Sequence, residues 1–332
     1  MSRSESPLVR EPSPDEGYTY MHRAFLQAFI THNVLTAENI KPILASIMTA
    51  HTASPSDPNR PWTPGDVTPP ILTSTIQTVN AKLEPYDLEI RSQKSQHPPR
   101  STVYALVNKT SDSLTQLATK FSAAEIAYIR RVLDYMFDTN NSRTREVCAI
   151  RHSEASQLAR VRRTTRHSQP HVPDNDDEDD SPPQHQDTGI SIQEADNLLS
   201  TLVSQSFFQK SHAGYYSLAP RALMELRAYL KETYNEPASA ADGEDAVVRI
   251  RDCEGCRDIV THGVRCDNRD CGVRWHDACA NAFYAGRRRQ GGRGCPTCGT
   301  ECSGQVFVGE RADRVAGNSR RSAVQREQDG EE

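Results

Sequence analysis

Residues 253–298 read CEGCRDIVTHGVRCDNRDCGVRWHDACANAFYAGRRRQGGRGCPTC. This segment determines how the C-terminal part of the chain folds. Cysteine and histidine recur in it at the spacing Cys-x2-Cys-x9-Cys-x4-Cys-x4-His-x2-Cys-x15-Cys-x2-Cys. Zinc takes four such donors in a tetrahedron, and a Cys-x2-Cys knuckle places two thiolates on one ion. The eight donors predict two complete zinc sites, both structural because neither leaves a position open for water.

The eight donors can be divided between the two sites in two ways. We expect the interleaved division, in which zinc 1 takes Cys253, Cys256, His276 and Cys279 and zinc 2 takes Cys266, Cys271, Cys295 and Cys298. Sequential division along the chain is the alternative. Three similar side chains are left out: we interpret His262 as a surface histidine, Cys302 as a spare thiol and Cys148 as a small buried apolar residue.

Composition limits what the rest of the chain can be. The chain has 332 residues, enough for two or three small domains. Apolar residues make up 36% of it and the mean hydropathy is -0.69, so part of the length is expected to be solvated linker. It has no uncharged apolar run of membrane-spanning length and no export signal. We therefore expect a soluble, unsecreted chain, in which metal binding by cysteine is favoured over disulfides.

The first folded domain is predicted at residues 18–158, after a disordered segment at 1–17. Apolar residues at helical spacing indicate three helices, and a Pro-rich insertion at 51–70 separates the second from the third. Alternating residues then indicate a hairpin with strands near 88–90 and 103–107. Helix, helix, helix and hairpin is the order of a winged-helix domain. A capping box at Ser122 and Glu125 begins an amphipathic helix that would close this domain.

The remainder of the chain divides by composition. An Arg-rich and then acidic linker is predicted at 159–188, a second and smaller winged-helix-like domain at 189–236 and a short linker at 237–246. The zinc domain follows at 247–302, with a disordered polar tail at 303–332. We expect the zinc domain and the domain at 18–158 to have separate cores. The predicted fold class is α+β: two winged-helix-like domains followed by a small zinc cross-brace domain, a variant RING whose ligand order is four Cys, one His and three Cys.

Several motifs together resemble the non-SMC element one subunit of the SMC five/six chromosome-maintenance complex. They are 22–27 (HRAFLQ), 88–91 (LEIR), 104–108 (YALVN) with a helix at 114–121 (LTQLATKF), and 271–276 (CGVRWH) in the variant RING. The resemblance implies a RING-type E3 ubiquitin ligase subunit in a nuclear complex for DNA repair and recombination. It also implies a MAGE-family partner and, through it, a kleisin. No membrane association is implied.

A RING ligase positions a ubiquitin-loaded E2 enzyme and supplies no catalytic residue of its own. The resemblance to RING domains makes Phe283 and Pro296 candidate E2 contacts. Gly255 and Gly299 depart from the RING pattern, because an apolar residue and a basic residue are usual there. Ligase activity is therefore expected to be weak or dependent on the partner.

Two other functions stay open. A scaffold whose zinc domain only buttresses protein contacts fits Gly255 and Gly299. A PHD-type histone-tail reader fits the Cys-x4-Cys-x4-His spacing, but Arg293 stands where PHD fingers usually have a core tryptophan. DNA contact has weak support: the helix at 114–121, interpreted as the recognition helix, holds one Lys and no Arg. Protein binding by the winged helices is favoured.

Overall fold

The structure is a computed structural model, and it describes residues 17–52, 61–109, 120–160, 189–237, 246–287 and 292–313. The chain divides into two units, Met1–Ser111 with Pro220–Glu225, and Asp112–Ala219 with Leu226–Glu332. Among the described helices, none combines the length and the apolar character that crossing a membrane requires. Of the segment predicted to be disordered at 1–17, residues 1–16 lie outside the described ranges.

The first unit is a winged helix. Its elements are α1 Tyr20–His32, β1 Val34–Thr36, α2 Ala37–Thr52, α3 Pro69–Leu83, β2 Leu88–Lys94 and β3 Thr102–Asn108. The strands form an antiparallel sheet in the order β1-β3-β2. The predicted order of three helices and a hairpin is confirmed. The strand β1 was not predicted, because three residues carry too little alternation to be recognised.

Local chemistry explains the ends of these helices and how they meet the sheet. The Thr36 hydroxyl accepts a hydrogen bond from the Asn39 amide at 3.3 Å, which caps α2. The Asn80 side chain on α3 bonds both backbone groups of Ile90 on β2, at 2.8 and 3.0 Å. Phe25, Phe29, Ile40, Leu44 and Val79 are at most 1% exposed and form the core between the helices.

The Pro-rich insertion is narrower than the predicted 51–70. Helix α2 continues to Thr52. Helix α3 begins at Pro69, because proline is well tolerated in the first turn of a helix. Residues 53–60 lie outside the described ranges. Of the rest, the Trp62 amide donates to the Thr49 hydroxyl at 2.9 Å, and Val67 is 2% exposed against the core.

The second unit contains the second winged helix, and it begins earlier than predicted. Its elements are α4 Ala123–Asp134, β4 Asn141–Ser142, β5 Arg145–Glu146, β6 Ile150–Arg151, α5 His152–Leu158, α6 Ile192–Ser204, β7 Phe208–Lys210 and β8 Tyr215–Leu218. Strand β6 pairs with β8, giving the sheet order β6-β8-β7. The boundary predicted at 158 is therefore wrong, and 120–158 belongs with the second winged helix. The predicted linker at 159–188 lies inside this domain, between α5 and α6, and 161–188 are outside the described residues.

The interpretation of 114–121 as a recognition helix also needs correction. That stretch follows the β2–β3 hairpin, whereas the helix preceding the hairpin, which occupies the recognition position of a winged helix, is α3. Residues 114–119 themselves lie outside the described ranges. Two helices then follow β8: α7 Pro220–Glu225 belongs to the first unit, where Met224 packs on Ala105 and Val107 of β3, and α8 Arg227–Tyr234 belongs to the second unit.

The zinc-domain segment shares a sheet with the winged helix of the second unit. Its elements are β9 Asn235–Glu236, β10 Val247–Val248, β11 Gly263–Arg265, β12 Arg274–Trp275, α9 Asp277–Arg287 and β13 Phe307–Val308. A five-stranded sheet runs in the order β12-β11-β13-β5-β4, with β13 parallel to β5 through Val308 and Glu146. The expectation of separate cores is therefore wrong for residues 141–146. Of the predicted linker at 237–246, residues 238–245 lie outside the described ranges.

The predicted disordered tail at 303–332 is ordered as far as the structure describes it. Val308 in β13 is 1% exposed, and the Asp313 carboxylate lies 3.3 Å from Arg145 and forms a further ion pair with Arg151. The Tyr215 hydroxyl also donates to it. Burial alone would raise the pKa of Asp313, but these hydrogen bonds hold the pKa below its usual value. Residues 303–313 therefore pack on the winged helix, and 314–332 lie outside the described residues.

Candidate metal centre

The structure brings the eight predicted ligands together in the interleaved division. Two groups form, each with its donor atoms within 4.8 Å of one another: Cys253, Cys256, His276 and Cys279, and Cys266, Cys271, Cys295 and Cys298. The first knuckle supplies half of the first group, and the other half is His276, between β12 and α9, with Cys279 in the first turn of α9. Both groups therefore combine donors that are distant in the sequence, as a cross-brace does.

The orientation of His276 suits it for metal binding. Its Nδ1 lies 3.2 Å from the Cys256 sulfur, and its Nε2 lies 3.2 Å from the Ile259 carbonyl oxygen. A carbonyl can only accept, so the proton is assigned to Nε2 and the lone pair of Nδ1 faces the thiols. A histidine held through its far nitrogen in this way is the usual arrangement of a metal-binding imidazole.

The second group has the sulfur spacing that a tetrahedral zinc site requires. The Cys266 and Cys298 sulfurs are 3.6 Å apart, and so are those of Cys271 and Cys295. Zinc–sulfur bonds of about 2.3 Å at the tetrahedral angle place two sulfurs roughly 3.8 Å apart. A disulfide would bring them to about 2.05 Å, and all of these cysteines are free thiols. The donor set therefore fits zinc.

Ionisation of the thiols also points to a cation. The Cys253 sulfur accepts hydrogen bonds at 3.4 Å from the backbone amides of Gly255 and His276, which favour its thiolate form. Burial and the negative charge of Cys253 and Cys279 instead raise the pKa of Cys256. Donor amides favour one thiolate and burial disfavours a second beside it, so a divalent cation would stabilise the full set of thiolates.

Two glycines of the knuckles depart from the pattern of active RING domains for steric reasons. Gly299 has φ +73°, a conformation that strains any residue with a side chain. A Cβ at Gly255 would lie 3.0 Å from the Cys279 Cβ and 3.4 Å from the Trp275 ring. Neither position therefore accepts the basic or apolar side chain common there without local adjustment.

The two candidate E2 contacts differ in their surroundings. The Phe283 ring on α9 is half-buried and lies 4.5 Å from the ring of Trp275, centre to centre. Its neighbour Tyr284 is buried, and its ring lies 5.2 Å from the Arg293 guanidinium carbon. Pro296 is exposed in the second knuckle. Phe283 thus has both a packing contact and an exposed part, while Pro296 is at the surface.

The side chains left out of the two groups are all buried. His262 is 8% exposed with its Nε2 3.7 Å from Asp277, so its interpretation as a surface histidine is wrong. Cys302 is 4% exposed and lies outside both four-donor groups, and Cys148 is 3% exposed. Burial raises the pKa of the Cys148 thiol, which keeps it protonated.

A buried ion network next to the metal centre was not predicted. The Glu146 carboxylate of β5 accepts hydrogen bonds from Arg265 at 2.8 Å and from Nε of Arg274 at 2.7 Å. Both arginines are 3% exposed and Glu146 is 9% exposed. Arg265 is the last residue of β11 and Arg274 is the first residue of β12, whereas Glu146 lies more than a hundred positions earlier. No local pattern in the sequence connects residues so far apart. The one possible signal of a buried ion network was that all three residues are charged and lie in β-strands.

A winged-helix chain that ends in a RING-like metal centre is the class of protein defined by this fold and site. Residues 22–226 match the family described as "Nse1 non-SMC component of SMC5-6 complex", and residues 253–298 match the RING-like domain family. The chain belongs to the Nse1 family, and the resemblance found in the sequence is confirmed.

Individual proteins agree with this assignment. The proteins named "Non-structural maintenance of chromosomes element 1 homolog" from Bos taurus and Homo sapiens are each 23% identical over 280 residues, covering 84% of this chain and 83% of theirs. The Rattus norvegicus homolog is 24% identical over the same shares. A chain from a solved "Nse1-Nse3-Nse4 complex" has a similar fold, with a TM-score of 0.60 and 18% identity, covering 87% of this chain and 98% of that one.

Proposed function

We propose that this chain is a RING-type E3 ubiquitin ligase subunit of the SMC5-6 complex, acting in DNA repair and recombination in the nucleus. The observation that carries the proposal is the pair of interleaved donor groups at residues 253–298, within a chain of the Nse1 family. Paired groups of this kind build the rigid platform that a RING domain offers to an E2 enzyme. The RING-like match favours this function over the PHD alternative.

The two donor groups would each hold one Zn²⁺, so two ions per chain are proposed. Zinc 1 would be bound by Nδ1 of His276 with three thiolates, and zinc 2 by four thiolates. With all four positions filled by protein, the ions supply folding free energy and no reactive water. Their function is to fix β11, β12 and α9 in the arrangement that carries the E2 surface.

The mechanism requires positioning and no catalytic side chain from this chain. The reacting thioester and its cysteine belong to the E2, and holding them in a reactive arrangement lowers the barrier to transfer. Phe283 supplies the anchor: its ring packs on Trp275 and Tyr284, and the accessible part of this half-buried side chain would contact the E2. Pro296 would contribute a second apolar contact from the exposed knuckle.

Partner subunits are proposed from the similar solved structure. Its title names Nse3 and Nse4, and we propose the corresponding MAGE-family and kleisin subunits as partners of this chain. Charge supports protein binding over DNA binding. The recognition-position helix α3 contains Lys82 as its one basic residue, and α6 carries Glu194 and Asp196. Neither helix could neutralise several phosphates.

A second candidate function is a scaffold without ligase activity. The observation that favours it is the geometry at Gly255 and Gly299, where a side chain would be crowded or strained. The same two positions normally strengthen E2 and ubiquitin contacts in active RING domains. A ligase that depends on its MAGE-family partner is consistent with both the paired donor groups and the two glycines. The partner would supply the E2 and ubiquitin contacts that Gly255 and Gly299 do not make.

Phe283→Ala is expected to reduce E2-dependent ubiquitin transfer by about thirtyfold, because removing a central interface anchor costs roughly 2 kcal/mol or more. The measurement is the rate of ubiquitin-chain formation with a responsive E2. Tyr86→Ala is the matched control, since Tyr86 is 72% exposed and lies in the other unit.

Zinc content and melting temperature separate an E2 contact from a packing role. A Phe283→Ala protein that retains both zinc ions and wild-type melting yet transfers ubiquitin at the wild-type rate would exclude Phe283 as the E2 anchor. In that case the scaffold function is favoured.

A further inference from the structure

The second unit contains an arginine-rich cavity beside the metal centre. Its volume is about 590 Å³, and it lies between the β4–β5 hairpin, β10 and the start of β12. Five arginines line it, namely Arg143, Arg249, Arg251, Arg269 and Arg274, against three carboxylates. The lining therefore carries a formal excess of two positive charges, from five minus three.

Each of the three carboxylates already forms an ion pair with an arginine. Glu146 is shared between Arg274 and Arg265, as described above. Asp138 lies 3.1 Å from Arg249, and Asp270 forms an ion pair with Arg143 at the exposed rim. These pairs account for Arg143, Arg249 and Arg274 but leave two arginines of the lining.

Arg251 and Arg269 are those two. Across the part of the chain that the structure describes, neither guanidinium group makes a hydrogen bond or an ion pair. Arg269 is exposed, whereas Arg251 is half-buried and precedes the first metal ligand by two positions. The nitrogens of both groups reach solvent, and each guanidinium group has five N–H donors that an anionic ligand could use. The cavity thus lacks an anionic partner.

Size and apolar lining restrict what that partner can be. A volume of this size suits a peptide segment and is far larger than one inorganic anion needs. Val247 and Val248 of β10 also line the cavity, and each is 39% exposed. Within the described residues β10 pairs with β9 alone, so an extended segment could approach its other edge. Val247 and Val248 offer apolar contacts that a uniformly charged nucleic-acid backbone could not use.

We propose that this cavity binds an acidic, partly apolar peptide segment of a partner protein. Arg251 and Arg269 would pair with its acidic groups in the bidentate geometry that arginine offers to carboxylate or phosphoryl oxygens. Val247 and Val248 would cover an apolar side chain between them. This site is separate from the proposed E2 contacts and does not depend on ligase activity.

The test is fluorescence anisotropy on the full chain with a labelled synthetic peptide of alternating glutamate and leucine. A glutamine–leucine peptide controls for charge, and a phosphoserine–leucine peptide distinguishes phosphoryl from carboxylate recognition. We expect binding of an acidic peptide that weakens with salt, at least about tenfold weaker binding for Arg251→Gln, and a smaller loss for Arg269→Gln. Arg251→Lys should recover part of the loss, and Arg130→Gln, an exposed site outside the cavity, should bind like wild type.

Zinc content and melting temperature show whether each variant is folded. If Arg251→Gln misfolds, Arg269→Gln at the exposed rim and Val248→Asp at the apolar lining carry the test. Wild-type binding of the acidic peptides by the folded Arg251→Gln protein would overturn the proposal. Where that protein misfolds, wild-type binding by both the Arg269→Gln and Val248→Asp proteins would overturn it. Equal binding of the glutamine peptide would also overturn it, and so would displacement of the acidic peptide by single-stranded DNA with tighter affinity.

Discussion

Chelation of the bound metal is expected to unfold the metal centre together with the part of the winged helix that shares its sheet. Structural zinc provides roughly 10–16 kcal/mol of apparent binding free energy in small zinc-finger peptides, more than a domain of this size can replace. Strands β11, β12 and β13 should lose their hydrogen-exchange protection, and so should β5, which pairs with β13. Elemental analysis before chelation should give two zinc ions per chain.

The first unit serves as an internal control for this experiment. Its core between α1, α2 and α3 contains none of the proposed ligands, so residues 20–52 and 61–108 should keep their protection after chelation. Chelator loaded beforehand with zinc should have no effect on either unit. One zinc ion per chain, or unchanged protection of β11–β13 in the chelated protein, would contradict the two-site assignment.

Glu146→Ala is expected to destabilise the second unit by about 3–5 kcal/mol, because it leaves two buried arginines without their shared carboxylate. Arg265 and Arg274 are each 3% exposed, so water replaces the lost carboxylate contacts only in part. Burial already lowers the pKa of Arg265, and the Glu146 charge opposes this effect. Chemical denaturation monitored by near-ultraviolet circular dichroism measures the loss, since Trp275 lies next to Arg274.

A surface ion pair in the same unit provides the matched control. Glu236 pairs with Arg249 at 3.0 Å, but its side chain is 61% exposed, and an exposed pair contributes about 0–1 kcal/mol. Glu236→Ala should therefore unfold close to the wild-type denaturant concentration. Equal midpoints for the Glu146→Ala and Glu236→Ala proteins would show that the buried network does not hold the metal centre to the winged helix.

The features that could be predicted from the sequence depend on short-range spacing. Phe25, Phe29, Ile40 and Leu44 follow the helical period, and the hairpin strands alternate, so the first winged helix was recognised from its own residues. The metal ligands are distinctive because few chemistries require eight such donors in under fifty residues. The capping box predicted at Ser122 also forms, with the Glu125 side chain bonded back to the cap amide.

The features that could not be predicted depend on contacts between distant residues. The two-residue strand β6 pairs with β8 across the long segment at 161–188, so the second winged helix was placed too late. Strand β13 is equally short, and its partner Glu146 is far away in sequence. The sequence therefore predicts a disordered tail that includes residues 303–313. His262 was assigned to the surface because nothing in its neighbours indicates burial against Asp277.

We propose that the metal centre positions a ubiquitin-loaded E2 within an SMC5-6 subunit. The most direct test is a ubiquitin-chain assay with a panel of E2 enzymes, run on the purified chain alone and with its MAGE-family partner. We expect weak or no transfer by the chain alone, and clear transfer with the partner and at least one E2 that is lost on chelation of the zinc. No transfer with any E2 in the presence of the partner, by a protein that holds both zinc ions, would contradict the ligase function.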